Sequence, residues 1–245
     1  MKKKIILGLA LALSLIPSAN APTKDFENER QINYNIKKEV EKRIMSPTIN
    51  ANLLNYKLLI KENITDSLDL ETPAFRNIIE RIKGEITLEQ TIKKSRKFVD
   101  EFYQSTDEIK YEKERIFALI YAESEGDKNA KSGSGARGLT QILKSTWEWI
   151  EPNKDFYQYA YEPVSNINVG VKTLSWFENY CKENCPYWDN LDEEGRIKIV
   201  SACYNGGQKT LKEKNWDISK MFNETRVYSS RLLWAYNKLK KEDID

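Results

Sequence analysis

Glu123 closes an apolar run, and both its chemical type and its spacing suit it to acid/base work. Ile116 and Ile120 are four residues apart, and Glu123 follows three after Ile120 and four after Leu119. With Ile109 seven residues before Ile116, the spacing predicts a helix from Glu108 to about Glu125 whose apolar stripe ends in a carboxyl group. A carboxylate there is disfavoured twice. Apolar neighbours strip its water, and the C-terminal end of a helix presents partial negative charge. Both effects keep the proton on the group near neutral pH, as a general acid requires. The competing expectation is a frayed helix end with Glu123 in water.

Composition narrows the chemistry further. The 245 residues include no histidine. That excludes His-ligated zinc, Ser-His-Asp and Cys-His nucleophile systems, and imidazole acid/base catalysis. Cys181, Cys185 and Cys203 are the three cysteines, too few and too scattered for a metal site, so neither a metal nor a cofactor is expected. In an oxidising compartment Cys181 and Cys185 could pair across a short turn before Pro186; packed thiols are the alternative. Cys203 reads as a small buried hydrophobe.

The segment after Glu123 is rich in small residues. Gly133-Ser134-Gly135-Ala136-Arg137-Gly138 spells G-x-G-x-x-G. A dinucleotide site needs a strand before that sequence and an acidic residue after a second strand. Here a helix precedes it and no parallel-sheet pattern exists. The useful reading is a compact turn with backbone positions open to positive φ, over which a polymer can approach closely.

These residues carry a resemblance. Glu123-Ser124, Ala130-x-Ser132 and Gly135-Ala136-x-Gly138-Leu139-x-Gln141 resemble the signature of lytic transglycosylases with a lysozyme-like fold. Asn166-Ile167-Asn168-Val169-Gly170 with Leu174, Ala202-Cys203-Tyr204-Asn205-Gly206-Gly207, and Glu224-Thr225-Arg226-Val227-Tyr228 resemble three later fragments of that family, in the same order. The resemblance covers roughly residues 108 to 240. It departs from the family at Gly126, where an aromatic is usual, at Lys144, often Pro, and at Cys203 and Gly207.

The resemblance implies an all-α protein with peptidoglycan glycan strands as substrate. Glu123 would be the sole catalytic acid/base, with no cofactor. Ser132 and Gln141 would bind sugar or acetamido groups, Tyr204 would orient Glu123 or hold an N-acetyl group, and Glu224 would contact substrate or brace the groove. Read from local pattern alone, the same residues are a turn-holding serine, a backbone cap, helix packing and a neighbour of a helix N-cap. Asn166, Gly170 and Leu174 read as cap, close helix approach and core. The implied reaction cleaves the MurNAc-GlcNAc bond without water and leaves a 1,6-anhydro end. The alternatives are a lysozyme-type hydrolase, for which Asp127 is the nearest second carboxylate, and a non-catalytic wall-binding scaffold.

The elements around this centre are helical. Phe26, Ile32, Ile36, Val40 and Ile44 form a helix stripe. Thr72-Pro73 reads as an N-cap with proline at the first helical position, and Thr87-Leu88-Glu89-Gln90 as a capping box. All six tryptophans follow residue 146, where Trp147, Trp149, Tyr157, Tyr159 and Tyr161 cluster. Flat rings suit pyranose faces, and one or two of these are expected beside the substrate. The shift in composition predicts a helical accessory region over residues 22–107, with a possible cell-envelope protein partner, and a lysozyme-like domain over 108–245.

Residues 1–21 read as a signal peptide. Lys2, Lys3 and Lys4 precede the apolar run Ile5 to Ile16, and Ala19-Asn20-Ala21 resembles a cleavage site. Export to the periplasm or cell wall is therefore expected. Whole-chain charge is +2, from 39 basic and 37 acidic residues; losing those three lysines leaves a net −1. No basic excess points to nucleic acid.

Overall fold

The computed structural model describes residues 73–106 and 111–241, with side chains from residue 84 onward. The expected signal peptide, the stripe from Phe26 to Ile44, Thr72 and Ile109 lie outside the described residues. Contacts divide the chain into two compact units, Met1–Ile86 and Thr87–Asp245. The second unit holds Glu123, and it includes helix residues 87–105 although the composition shift lies near 108.

The described residues form helices α1 (Pro73–Ser105), α2 (Lys113–Ser124), α3 (Lys144–Ile150), α4 (Phe156–Tyr159), α5 (Pro163–Asn184), α6 (Glu193–Gly206), α7 (Gln208–Glu213) and α8 (Asn223–Lys240). Among them no strand occurs; two isolated bridges join Arg137 to Lys131 and to Ile142. The all-α architecture matches the expectation.

α1 opens on Pro73, where a proline's missing N–H costs nothing. It runs straight through Thr87, so the Thr87–Gln90 capping box starts no helix. A cap residue needs extended backbone, whereas here the ladder continues and the Thr87 carbonyl accepts from the Thr91 hydroxyl at 2.8 Å. Burial of Leu88, Val99 and Phe102, eleven and three residues apart, holds the helix through that point.

α2 buries every residue from Ile116 to Tyr121. It starts at Lys113, later than the expected Glu108, and stops where Glu125 and Gly126 turn left-handed, at φ 51° and 79°. A Cβ on Gly126 would sit 3.1 Å from the Thr91 carbonyl oxygen and 3.2 Å from Lys94 Cβ. α1 therefore occupies the space in which the family's usual aromatic would stand.

Glu162 caps α5, accepting from the Val164 and Ser165 amides at 3.1 and 2.6 Å, with Pro163 following at the first helical position. Asn166 lies inside the helix and is not its cap. Of the other two expectations for this helix, the core reading of Leu174 holds, while the close approach at Gly170 is made by a loop residue and not by a helix. Gly170 lets Thr140 approach so closely that a Cβ would be 2.6 Å from its Oγ1, and Leu174 is core. α8 packs along both α6 and α2, and α5 along α6. The three cysteines are buried and unbridged. Cys181 faces Cys203 on α6, Sγ to Sγ 3.5 Å, so the expected neighbour Cys185 is not its partner; Cys185 caps the end of Cys181's own helix.

Candidate active site

Glu123 sits in the last turn of α2, partly accessible at its edge and otherwise enclosed. Its Oε1 accepts a 2.6 Å hydrogen bond from the Tyr228 hydroxyl on α8. Burial pushes the carboxyl up to about 7, against the Tyr228 hydrogen bond and the Arg231 charge, which pull it down. Near neutral pH the group is thus divided between acid and carboxylate, as a residue that must both give and take a proton needs. Tyr204 on α6 is the second tyrosine at this centre. Burial and then the charge of Glu123 raise its phenol well above the ordinary range. Tyr228 is raised in the same way. Both tyrosines therefore act as neutral hydrogen-bond donors.

The loop between α2 and α3 is built from its own backbone. The Ser132 amide donates to the Ala136 carbonyl, and the Arg137 and Ile142 amides exchange hydrogen bonds, all at 3.0 Å. Gly135, Gly138 and Gln141 take positive φ, at 88°, 77° and 49°. At Gly138 a Cβ would meet Asn166 Nδ2 at 2.4 Å and the Ala160 carbonyl at 2.5 Å, so glycine is required there.

Asn166 locks this loop to α5. Its Oδ1 accepts from the Thr140 amide and hydroxyl, both at 2.8 Å, and its Nδ2 donates to the carbonyls of Arg137 (2.9 Å) and Ala160 (2.8 Å). A side-chain amide offers two donors and an acceptor with two lone pairs, and every one is used. Ser124, directly after Glu123, donates to the Leu139 carbonyl at 2.7 Å and ties the same loop to α2.

The expected substrate-binding residues divide by position. Ser132 Oγ accepts from the Ala136 amide at 3.0 Å and shares a hydrogen with Ser134 Oγ at 2.8 Å. Gln141 Nε2 donates to the Gly138 and Ala130 carbonyls at 2.8 and 3.1 Å. The Tyr204 hydroxyl donates to the Thr140 carbonyl at 2.9 Å, and its ring meets Phe177 edge-on. Ser132 and Gln141 thus hold the loop together, and Tyr204, whose phenol feels the Glu123 charge, ties that loop to α6. Glu224 lies exposed in the first turn of α8, where a carboxylate suits the positive helix end. Its neighbour Thr225 ties α8 to α6 through Asn205 Oδ1 at 2.8 Å. Asp127 is exposed, with Oδ1 accepting from the Asn129 amide at 2.9 Å.

Of the aromatic cluster, Trp147 is core, with its indole N–H on the Lys154 carbonyl at 2.7 Å. Trp149 and Tyr157 are about half and two-thirds exposed, at 51% and 63%. Tyr157, Phe156 and Tyr161 surround the Arg137 guanidinium at 5.0, 4.8 and 5.1 Å from their ring centres. Among the described residues no cluster of His, Cys, Asp and Glu could hold a metal ion.

Residues 101–228, just over half of the chain, match the transglycosylase SLT domain. The chain belongs to that family. Its helical fold is the lysozyme-like all-α fold of SLT domains. A protein of Enterobacteria phage PRD1 described as "Transglycosylase" is 25% identical over 124 residues, covering 51% of this chain and 37% of the phage protein. The SLT match takes in both members of the Glu123–Tyr228 hydrogen bond, which closes the site from residues 105 apart in the chain. In the sequence Tyr228 only ends a motif and draws no role, because nothing local to residue 228 points to residue 123.

Proposed function

We propose that this protein is a peptidoglycan lytic transglycosylase in which Glu123 is the single catalytic acid/base. The observation that carries the reading is Glu123 itself: a carboxyl enclosed at a helix end, raised to about 7, with a tyrosine hydroxyl fixing one oxygen. Family membership supports peptidoglycan as the substrate. In the proposed reaction the protonated carboxyl gives its proton to the oxygen linking N-acetylmuramic acid to N-acetylglucosamine. The substrate's acetamido group stabilises the developing cation. The carboxylate then takes the proton of the C6 hydroxyl as that oxygen closes on C1, which leaves a 1,6-anhydro ring and returns Glu123 to its acid form. Ordinary glycosidases need a second carboxylate at a set separation. Asp127, the candidate for that part, is exposed and engaged with its own turn.

On this reading Ser132, Gln141 and Tyr204 line the groove that takes the glycan, and Glu224, exposed in the first turn of α8, contacts substrate or braces that groove. Residues 1–21 direct the chain to the cell envelope on this reading, and residues 22–107 offer a surface for an envelope partner. Digestion of purified peptidoglycan tests the chemistry. The products should be lighter than hydrolytic ones by one water per cleavage, and Glu123→Gln should lower turnover by about a thousandfold or more. Hydrolytic masses, or an unchanged rate in the variant, would overturn the reading.

A further inference from the structure

Arg231 lies three residues after Tyr228 on α8, on the same face and toward α2. Its Nη2 donates to Glu125 Oε1 at 2.6 Å, and its guanidinium stands 4.4 Å from the ring centre of Tyr121. Tyr121 is buried and precedes Glu123 by two residues; Glu125 is the left-handed residue that ends the helix, two residues after it. One cation thus grips the chain on both sides of the acid, while Tyr228 holds the acid itself. We propose that Arg231, through its bridge from Tyr121 to Glu125, is a positioning residue for the catalytic acid that fixes the end of α2 and sets the charge around Glu123.

The inference deepens the reading of Glu123 as acid/base and rests on it. The titratable and charged groups around the carboxyl are few. From α8 come Tyr228 and Arg231, from α6 Tyr204, and from the helix end Glu125. Lys94 on α1 reaches the Glu125 backbone carbonyl at 3.3 Å. Both tyrosines are held neutral, so the balance between Arg231 and Glu125 is the adjustable part. With Arg231 neutralised, Glu123 keeps its proton to higher pH. With Glu125 neutralised, the Arg231 charge is uncompensated and Glu123 loses its proton earlier. A bridge serving only to hold the helix end predicts no such opposition.

The test is the titration of Glu123 in the uncomplexed protein, followed by the carbon NMR signal of its carboxyl group. In Arg231→Met, whose chain still covers Tyr121, the midpoint should rise by roughly half a pH unit or more. In Glu125→Gln it should fall. An unmoved midpoint in Arg231→Met, or a shift in the same direction in both variants, would overturn the inference. Because Glu125 is exposed, the second variant keeps the test decisive if the first folds poorly. The alkaline limb of kcat/KM on peptidoglycan should follow the midpoint. A midpoint that moves while the limb stays fixed would leave the Arg231 assignment intact and remove Glu123 from the acid role.

Discussion

A carboxyl group raised from 4.5 to about 7 makes Glu123 a liability for folding as well as a candidate acid. Below pH 4.5 both folded and unfolded chains hold the proton, and burial carries no ionic penalty. Between pH 4.5 and 7 the unfolded chain releases it first, so stability contributed by this site declines as pH rises. Above 7 the loss levels off at about 3 kcal/mol, because each pH unit between the two midpoints is worth about 1.36 kcal/mol. Glu123→Gln keeps an acceptor for Tyr228 and removes the charge. The variant should therefore be more stable than its parent at pH 8, by up to about 3 kcal/mol, and no more stable near pH 4. Urea unfolding at the two pH values measures this; equal differences at both would show that the carboxyl is not held high. The elevated state was legible in the sequence as one of two readings, since the stripe from Ile116 to Glu123 has a fixed helical period but leaves a frayed end in water open. The groups that lower it were not, because Tyr228 and Arg231 reach the site only through packing of α8 on α2.

At the scale of elements, the loop from Ala130 to Ile142 depends on one side chain of α5. Asn166→Ala would leave the Thr140 amide and the Ala160 carbonyl without their partner, while the Arg137 carbonyl would lose one of two donors and keep the Ile142 amide. At about 1–3 kcal/mol for each buried group left unsatisfied, a loss of roughly 3–5 kcal/mol is expected. Asn166→Asp should be comparably damaging, because a carboxylate places lone pairs against the two carbonyls that Nδ2 now serves. Thermal unfolding ranks these variants, and an aspartate variant as stable as its parent would contradict this orientation of the amide. The motif around Asn166 was readable from the chain, yet its role was not. A helix-start pattern suggests a cap, while Glu162 already holds the amides of the first turn. The capping box at Thr87 misleads for a related reason. Local pattern describes what a residue can do, and α1 buries Leu88, Val99 and Phe102 through that point, so the helix has no end there.

At the scale of the molecule, α1 raises the question of where the folding unit begins. The shift in composition near residue 108 and the family match from residue 101 both suggest a domain that starts late. The core suggests an earlier start. Leu88, Val99 and Phe102 are at most 3% exposed and belong to the same cluster as Ile116, Leu119 and Ile120 of α2. Gly126, at the end of α2, has no side chain because Thr91 and Lys94 already fill its space. Three buried side chains of this size contribute on the order of 5–9 kcal/mol, comparable to the whole stability of a domain. A chain of residues 87–245 should therefore fold cooperatively. A chain of residues 108–245 should expose the α2 core and the end of the helix that carries Glu123. Circular dichroism melting separates the two, and a sharp transition in the shorter chain would make α1 an appendage. Gly126→Phe in the full chain probes the same junction by another route. It restores the family's aromatic at a position where φ is 79° and the nearest backbone is 3.1 Å from the new Cβ. With α1 in place the aromatic has nowhere to go, so the substitution should destabilise by about 2 kcal/mol or more.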